Sequence, residues 1–173
     1  MRKVAILLAG LAVSLQGVGT AQACKPCGDP AMPLLVQKAH VIAVARVTAV
    51  TAADRPPPNE KHLDTPRRQF LWQVKVEDAL KGNPPAELTV RSTDEPPCIT
   101  ARGPTPGRYV MLLYRGARYY SPLTYCDPPL FAIGPGDQVA LGADLVRQVG
   151  AKGDAVALTT LKAWIAGQVA TKQ

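Results

Sequence analysis

The sequence predicts a mainly β protein, a small barrel of five strands with helices at its ends. Three observations predict it. Apolar and polar residues alternate in five short stretches between residues 41 and 125. Turns rich in proline and glycine separate those stretches, with no long helical pattern between them. Helical spacing occurs only before the first stretch and after residue 137. Closing five strands into a barrel removes the exposed edges that an open sheet would carry.

The chain begins with the pattern of an export signal. Met1-Arg2-Lys3 is basic, residues 4–15 are apolar, and Ala21-Gln22-Ala23 has the small-x-small form of a cleavage site. The apolar run is short for a membrane anchor, so no membrane span is expected after cleavage. Cleavage after Ala23 would make Cys24 the first mature residue and lower the formal charge from +7 to about +5. The expected location is the periplasm or the extracellular space. The expected organisation is a signal over residues 1–23, a barrel domain over 24–132 and a helical extension over 133–173.

Residues 30–38 fit a short helix, with Pro30 near its first turn. In residues 41–50 the odd positions Val41, Ala43, Ala45, Val47 and Ala49 are small and apolar, which suits a tight barrel interior. Ile42, Val44 and Val50 share the other face with Arg46 and Thr48, so part of that face should also be covered. Residues 51–69 are polar and contain Pro56-Pro57-Pro58, which predicts an extended loop. Phe70, Trp72, Val74 and Val76 then alternate with Gln73, Lys75 and Glu77 in a second strand, entered through Arg67-Arg68. Lys81-Gly82-Asn83-Pro84 reads as a turn. Leu88 and Val90 belong to a third strand, and residues 93–106 to a second proline-rich loop. Residues 109–114 and 118–125 complete the five. Val139, Ala143, Val146 and Val149 recur at helical spacing after Asp137, and Leu158, Leu161 and Ile165 after Asp154. Both stripes predict helices packed on the barrel, with Trp72 and Trp164 in core or docking positions.

All four cysteines, Cys24, Cys27, Cys98 and Cys126, follow the signal. An even count behind a signal peptide predicts a disulfide framework. Three pairings are possible. Bridges closing about 75 and about 100 residues would each stabilise by roughly 4–5 kcal/mol on the loop-entropy model, far more than a local Cys24–Cys27 bridge, so size favours a long-range pairing. Cys24-Lys25-Pro26-Cys27 also has the spacing of a thiol redox motif. It lacks the βαβ surroundings of one. The split between Cys98 and Cys126 is too wide for the second half of a structural zinc site.

Other chemistry has little support. His40 and His62 stand in no motif with a serine or aspartate, and Asp94-Glu95 reads as a solvated pair. The basic residues Lys38, Arg46, Arg55, Arg67, Arg68, Lys75, Arg91 and Arg108 are scattered rather than gathered beside aromatics, so no nucleic-acid partner is expected. No cofactor and no catalytic set are expected.

Several of these features together resemble a known family. Cys24 at the mature start, Cys27, residues 39–50 and 74–82, Cys98, residues 107–114 and Leu123-Thr124-Tyr125-Cys126-Asp127 resemble the netrin-like domain. Within it they look most like the N-terminal domain of the tissue inhibitors of metalloproteinases and their bacterial relatives. The resemblance spans about residues 24–130, and the cysteine order is its specific part. It implies an OB-type five-stranded barrel, with Cys24 bridged to Cys98 and Cys27 to Cys126. It also implies a ridge of Cys24, Lys25, Pro26, Pro97, Cys98 and Ile99 facing a protease. In that mode the amine and carbonyl of Cys24 would bind the catalytic zinc of the target, a metal held in trans only. Two residues separate Cys24 from Cys27 where the inhibitors have one, and Lys25 stands where they carry a small residue.

The function expected from these readings is a non-enzymatic, exported protein-binding module whose partner is an exported or cell-surface protein. Inhibition of a zinc metalloendopeptidase through Cys24 is the alternative, and thiol–disulfide exchange at Cys24 and Cys27 a second.

Overall fold

The computed structural model describes residues 31–54, 68–93, 104–123 and 130–171. The chain runs through α1 (Met32–Lys38), β1 (Val41–Asp54), β2 (Arg68–Lys81), β3 (Glu87–Thr93), β4 (Gly107–Arg115), β5 (Tyr120–Pro122) and β6 (Leu130–Ala132). A short 3-10 turn (Pro135–Asp137) then leads to β7 (Gln138–Ala140), α2 (Ala143–Gln148), β8 (Ala155–Ala157) and α3 (Leu158–Ala170).

Five strands close into a mixed barrel in the order β1-β2-β3-β5-β4, with β4 returning to pair with β1. The expectation of antiparallel strands holds for every barrel pairing except β3–β5, which is parallel and rests on the single pair Val90↔Tyr120. β6 adds to the edge of β4 beside β5.

β1 is a wall shared by two apolar clusters. Val41, Ala43, Ala45 and Val47 point into the barrel with Trp72, Val74, Leu88, Val90, Met111 and Leu113. Ile42 and Val44 point out and are equally buried, under a layer formed by all three helices and the β7–β8 hairpin. Met32, Leu35 and Val36 of α1 and Leu158, Leu161 and Ile165 of α3 belong to that outer cluster, and the half-buried Trp164 packs against it. Burial of both faces explains why the first strand reads as a nearly continuous apolar run.

Bulges adjust the phase of the long β1–β2 ribbon. The register slips at Thr48 on β1, and at Glu77 and Leu80 on β2. Each bulge adds one residue to one strand and increases the local twist, which the tight curvature needs. The slip at Thr48 corrects one expectation. Ala49 is exposed, and Val50 instead packs against the interior cluster opposite Trp72. The hydroxyl of Thr48 donates to the carbonyl of Gln73 across the bulge, at 3.1 Å.

The strands differ in length from the sequence reading. β1 and β2 extend through positions expected as loop, to the pair Asp54↔Arg68. The fifth strand is only Tyr120–Pro122, because a turn closed by the Gly116 N–H to the Tyr119 carbonyl (3.0 Å) occupies its expected start. Val139 lies in strand β7 rather than a helix. The helical stripe is broken at Gly142, whose φ of 78° and ψ of 152° no helix accommodates. Asp137 sits in the 3-10 turn and Asp154 precedes β8, so neither caps a helix.

α1 is fixed at both ends. The backbone N–H of Met32 donates to Oε1 of Gln148 at 2.6 Å. At the other end Lys81 Nζ donates to the carbonyls of Val36 (2.7 Å) and Gln37 (2.9 Å), which have no acceptor role left within the helix. The turn after β2 needs Gly82, at φ +75°, because a Cβ there would stand 2.4 Å from the carbonyl oxygen of His40.

Candidate functional site

The barrel end where β1 and β2 are joined is the candidate site, because two proline-rich segments leave from it. Asp54 pairs with Arg68, and Gln69 pairs with Thr93. Residues 55–67 and 94–103 therefore depart from adjacent strand ends. β4 begins further down the barrel, at Gly107 opposite Val47, seven residues short of Asp54. A third segment, 124–129, does not share that end: it follows Leu123, whose N–H donates to the Leu112 carbonyl opposite Ile42, at the start of β1.

The residues singled out from the sequence are Cys24, Lys25, Pro26, Cys27, Pro97, Cys98, Ile99 and Cys126. All eight lie outside the described residues, as do His62, Arg67 and Asp94-Glu95. In the sequence, residues 97–99 follow β3, whereas Cys24 to Cys27 precede α1 and Cys126 follows Leu123.

Under that end the interior carries two polar atoms with no partner among the described residues. Trp72 is fully buried, and its Nε1–H meets no acceptor. The buried hydroxyl oxygen of Ser92 is likewise unpartnered. Ser92 stands opposite Phe70, and Trp72 opposite both Val50 and Val90. Half-buried Val50 and Phe70 continue the interior wall toward the end. Tyr109 anchors the start of β4. Its hydroxyl donates to the Thr105 carbonyl at 2.9 Å and lies 3.2 Å from the Thr105 hydroxyl.

The barrel exterior carries a charge chain that sequence reasoning missed. Arg46 stands opposite Lys75 on one side and Arg108 on the other, a row of like charges. Glu77, freed by its bulge, relieves it. One carboxylate oxygen accepts from Arg46 Nε at 3.1 Å and the other from Arg108 Nε at 2.7 Å. Arg108 Nη1 continues to Asp137 at 2.7 Å. Hydrogen bonds to Asp137 first, and to Glu77 second, raise the Arg108 guanidinium above its ordinary value. The outward Lys75 and Glu77 were legible from alternation. Their distant partners were not.

A second exterior cluster joins β3 to the turn before β5. The guanidinium of Arg91 lies 5.5 Å from the Tyr119 ring centroid, and that of Arg118 lies 5.3 Å from it. Contacts of this kind are worth about 0.5–1 kcal/mol at exposed positions. His40 is a positioning residue for the barrel's other end. Its Nδ1 accepts from the Arg115 backbone N–H at 3.2 Å, and its ring meets the edge of Tyr114 at 5.0 Å.

Among the described residues, no group of three or more histidines, cysteines or carboxylates is placed to hold a metal. No described helix is long and apolar enough to cross a membrane. No protein-family model matches the chain, and no curated protein matches it.

Proposed function

We propose that this chain is an exported, disulfide-stapled barrel of the OB type that acts as a non-enzymatic protein-binding module of the netrin-like kind. The observation that carries the reading is the closed strand order β1-β2-β3-β5-β4 with β3 and β5 parallel, which sends residues 55–67 and 94–103 from one end. Loops on a rigid scaffold are the usual carriers of recognition. Prolines at positions 56–58, 96 and 97 restrict these segments before binding, which lowers the entropy lost when a partner orders them. A pull-down from an extract of exported proteins tests the reading. Mature protein should capture a specific partner, and Ile99→Asp should lose it. Capture of nothing specific, or equal capture by both, overturns it.

Inhibition of a zinc metalloendopeptidase is a narrower version of the same reading. It is supported by the closed five-stranded barrel, which is the architecture that the family resemblance implies. A free α-amine titrates near about 7.7–8.0, so zinc displaces its proton readily at neutral pH. A bridge from Cys24 to Cys98 would hold that amine in place. Mature protein should block a secreted metalloprotease, and one alanine added before Cys24 should abolish the block. Equal potency with the extra residue defeats the mechanism. A disulfide map separates both readings from thiol exchange, which requires a Cys24–Cys27 bridge.

A further inference from the structure

β1 is 14 residues long, and β4 covers only its first half. The β1–β4 register ends at Val47↔Gly107. Residues 48–54 continue as strand and pair with β2 as far as Asp54↔Arg68. Their other edge has no strand partner among the described residues. β4 cannot extend along it in regular pairing. Pro104 and Pro106 precede Gly107, and neither has the N–H that a ladder needs.

Natural proteins blunt such an edge with lysine, proline or a bulge. Residues 49–53 are Ala-Val-Thr-Ala-Ala and contain no lysine and no proline. The bulge at Thr48 lies before them. Ala49, Thr51 and Ala52 are exposed, and Val50 is half-buried.

We propose that this edge is a self-association surface, where β1 of a second copy of the chain pairs antiparallel about Thr51. The segment is complementary to itself. A two-fold axis at Thr51 sets Thr51 against Thr51, Val50 against Ala52, Ala49 against Ala53 and Thr48 against Asp54. Small and β-branched residues make compatible cross-strand pairs, and no like charges oppose. Asp54 is the only charge in the segment. The two copies of it would lie six positions apart along the ladder, about 20 Å at about 3.4 Å per residue. That exceeds the screening length of about 8 Å at physiological salt. Residues 55–67, which continue directly from this edge, hold Pro56, Pro57, Pro58 and Pro66 and so make a poor occupant of it. A pairing of this symmetry uses the same patch on both copies and closes after two, so it gives a dimer and not a fibre.

Sedimentation of mature protein over a concentration series, with amide exchange on the same samples, tests the proposal. A monomer–dimer equilibrium is expected, with protection of residues 49–53 rising as the dimer forms. Thr51→Lys places two ammonium groups directly opposite and should weaken the dimer by at least about tenfold. Thr51→Val keeps the β-branch and should leave it unchanged. Thr51 is exposed, so both variants should melt as the parent does. A protein that stays monomeric at every concentration overturns the proposal, whether these amides are open or protected. So does a dimer that Thr51→Lys leaves intact. The outcome does not depend on capture of any foreign partner.

Discussion

Replacing Leu161 with alanine tests whether α3 is part of the same cooperative core as the barrel. Leu161 is 0% exposed and lies in the cluster that α3 shares with α1, β1, β4 and the β7–β8 hairpin. The substitution removes three carbons from a fully buried side chain, about 2.4 kcal/mol at about 0.8 kcal/mol per group. The cavity left behind adds to this, so the expected total is about 3 kcal/mol. Urea unfolding, followed by far-UV circular dichroism with disulfides intact, reads it directly. The midpoint should fall with the slope unchanged, since the surface exposed on unfolding is the same. Met111→Ala, on the other side of β1, should shift the same single transition by a comparable amount. A loss below about 1 kcal/mol for Leu161→Ala would refute the reasoning. So would an early transition confined to the helical signal, which would make the C-terminal layer an independent unit.

Gly82→Ala should destabilise by at least about 2 kcal/mol in thermal melts, because the positive φ alone costs about 1–2 kcal/mol and the added methyl meets the His40 carbonyl. Trp72→Phe should be mild for so buried a position, under about 1.5 kcal/mol by urea titration. The variant loses packing but also removes a donor whose unpaired burial costs about 1–3 kcal/mol. Glu77→Ala should cost about 1 kcal/mol at low salt and less at high salt, as Arg46, Arg108 and Lys75 are left facing one another. The raised Arg108 group gives stability that is present below its unfolded value and lost only above its folded one. That window lies on the far alkaline side, so this contribution is constant through neutral pH. Lys162→Ala, which breaks the exposed bridge from α3 to Asp78, should stay within about 0.5 kcal/mol by the same titration.

The barrel was legible wherever one residue type repeated with period two. Val41 to Val47 and Phe70 to Val76 declare their inner faces, and Ile42 with Val44 declares that β1 is covered outside as well. Phase errors arose where geometry, not composition, decides. Nothing in Thr48 marks a bulge, yet the bulge moves Ala49 out and Val50 in. β6 and β7 have three residues each, too few for alternation to show. Val139 fits a helical stripe by spacing, and only the backbone at Gly142 reveals that the stripe is interrupted. Strand direction between β3 and β5 depends on connections that alternation does not record. At the candidate site, the sequence identified proline-rich segments but not that their strand ends are neighbours. Likewise Glu77 reaches Arg108 across 31 positions, a contact that no local pattern encodes.

The joint between β3 and β5 has a dynamic consequence. A barrel held all round by long ladders opens only when it unfolds, but this one has a seam of a single residue pair among the described residues, Val90↔Tyr120. Local opening, where it costs less than global unfolding, is expected to begin along such a seam. When it parts, β5 moves with β4, to which three residue pairs hold it. Arg91 on β3 and the Tyr119 ring act as a clasp outside the seam, so a surface contact between a cation and a ring adds about 0.5–1 kcal/mol to the apolar filling that resists its opening.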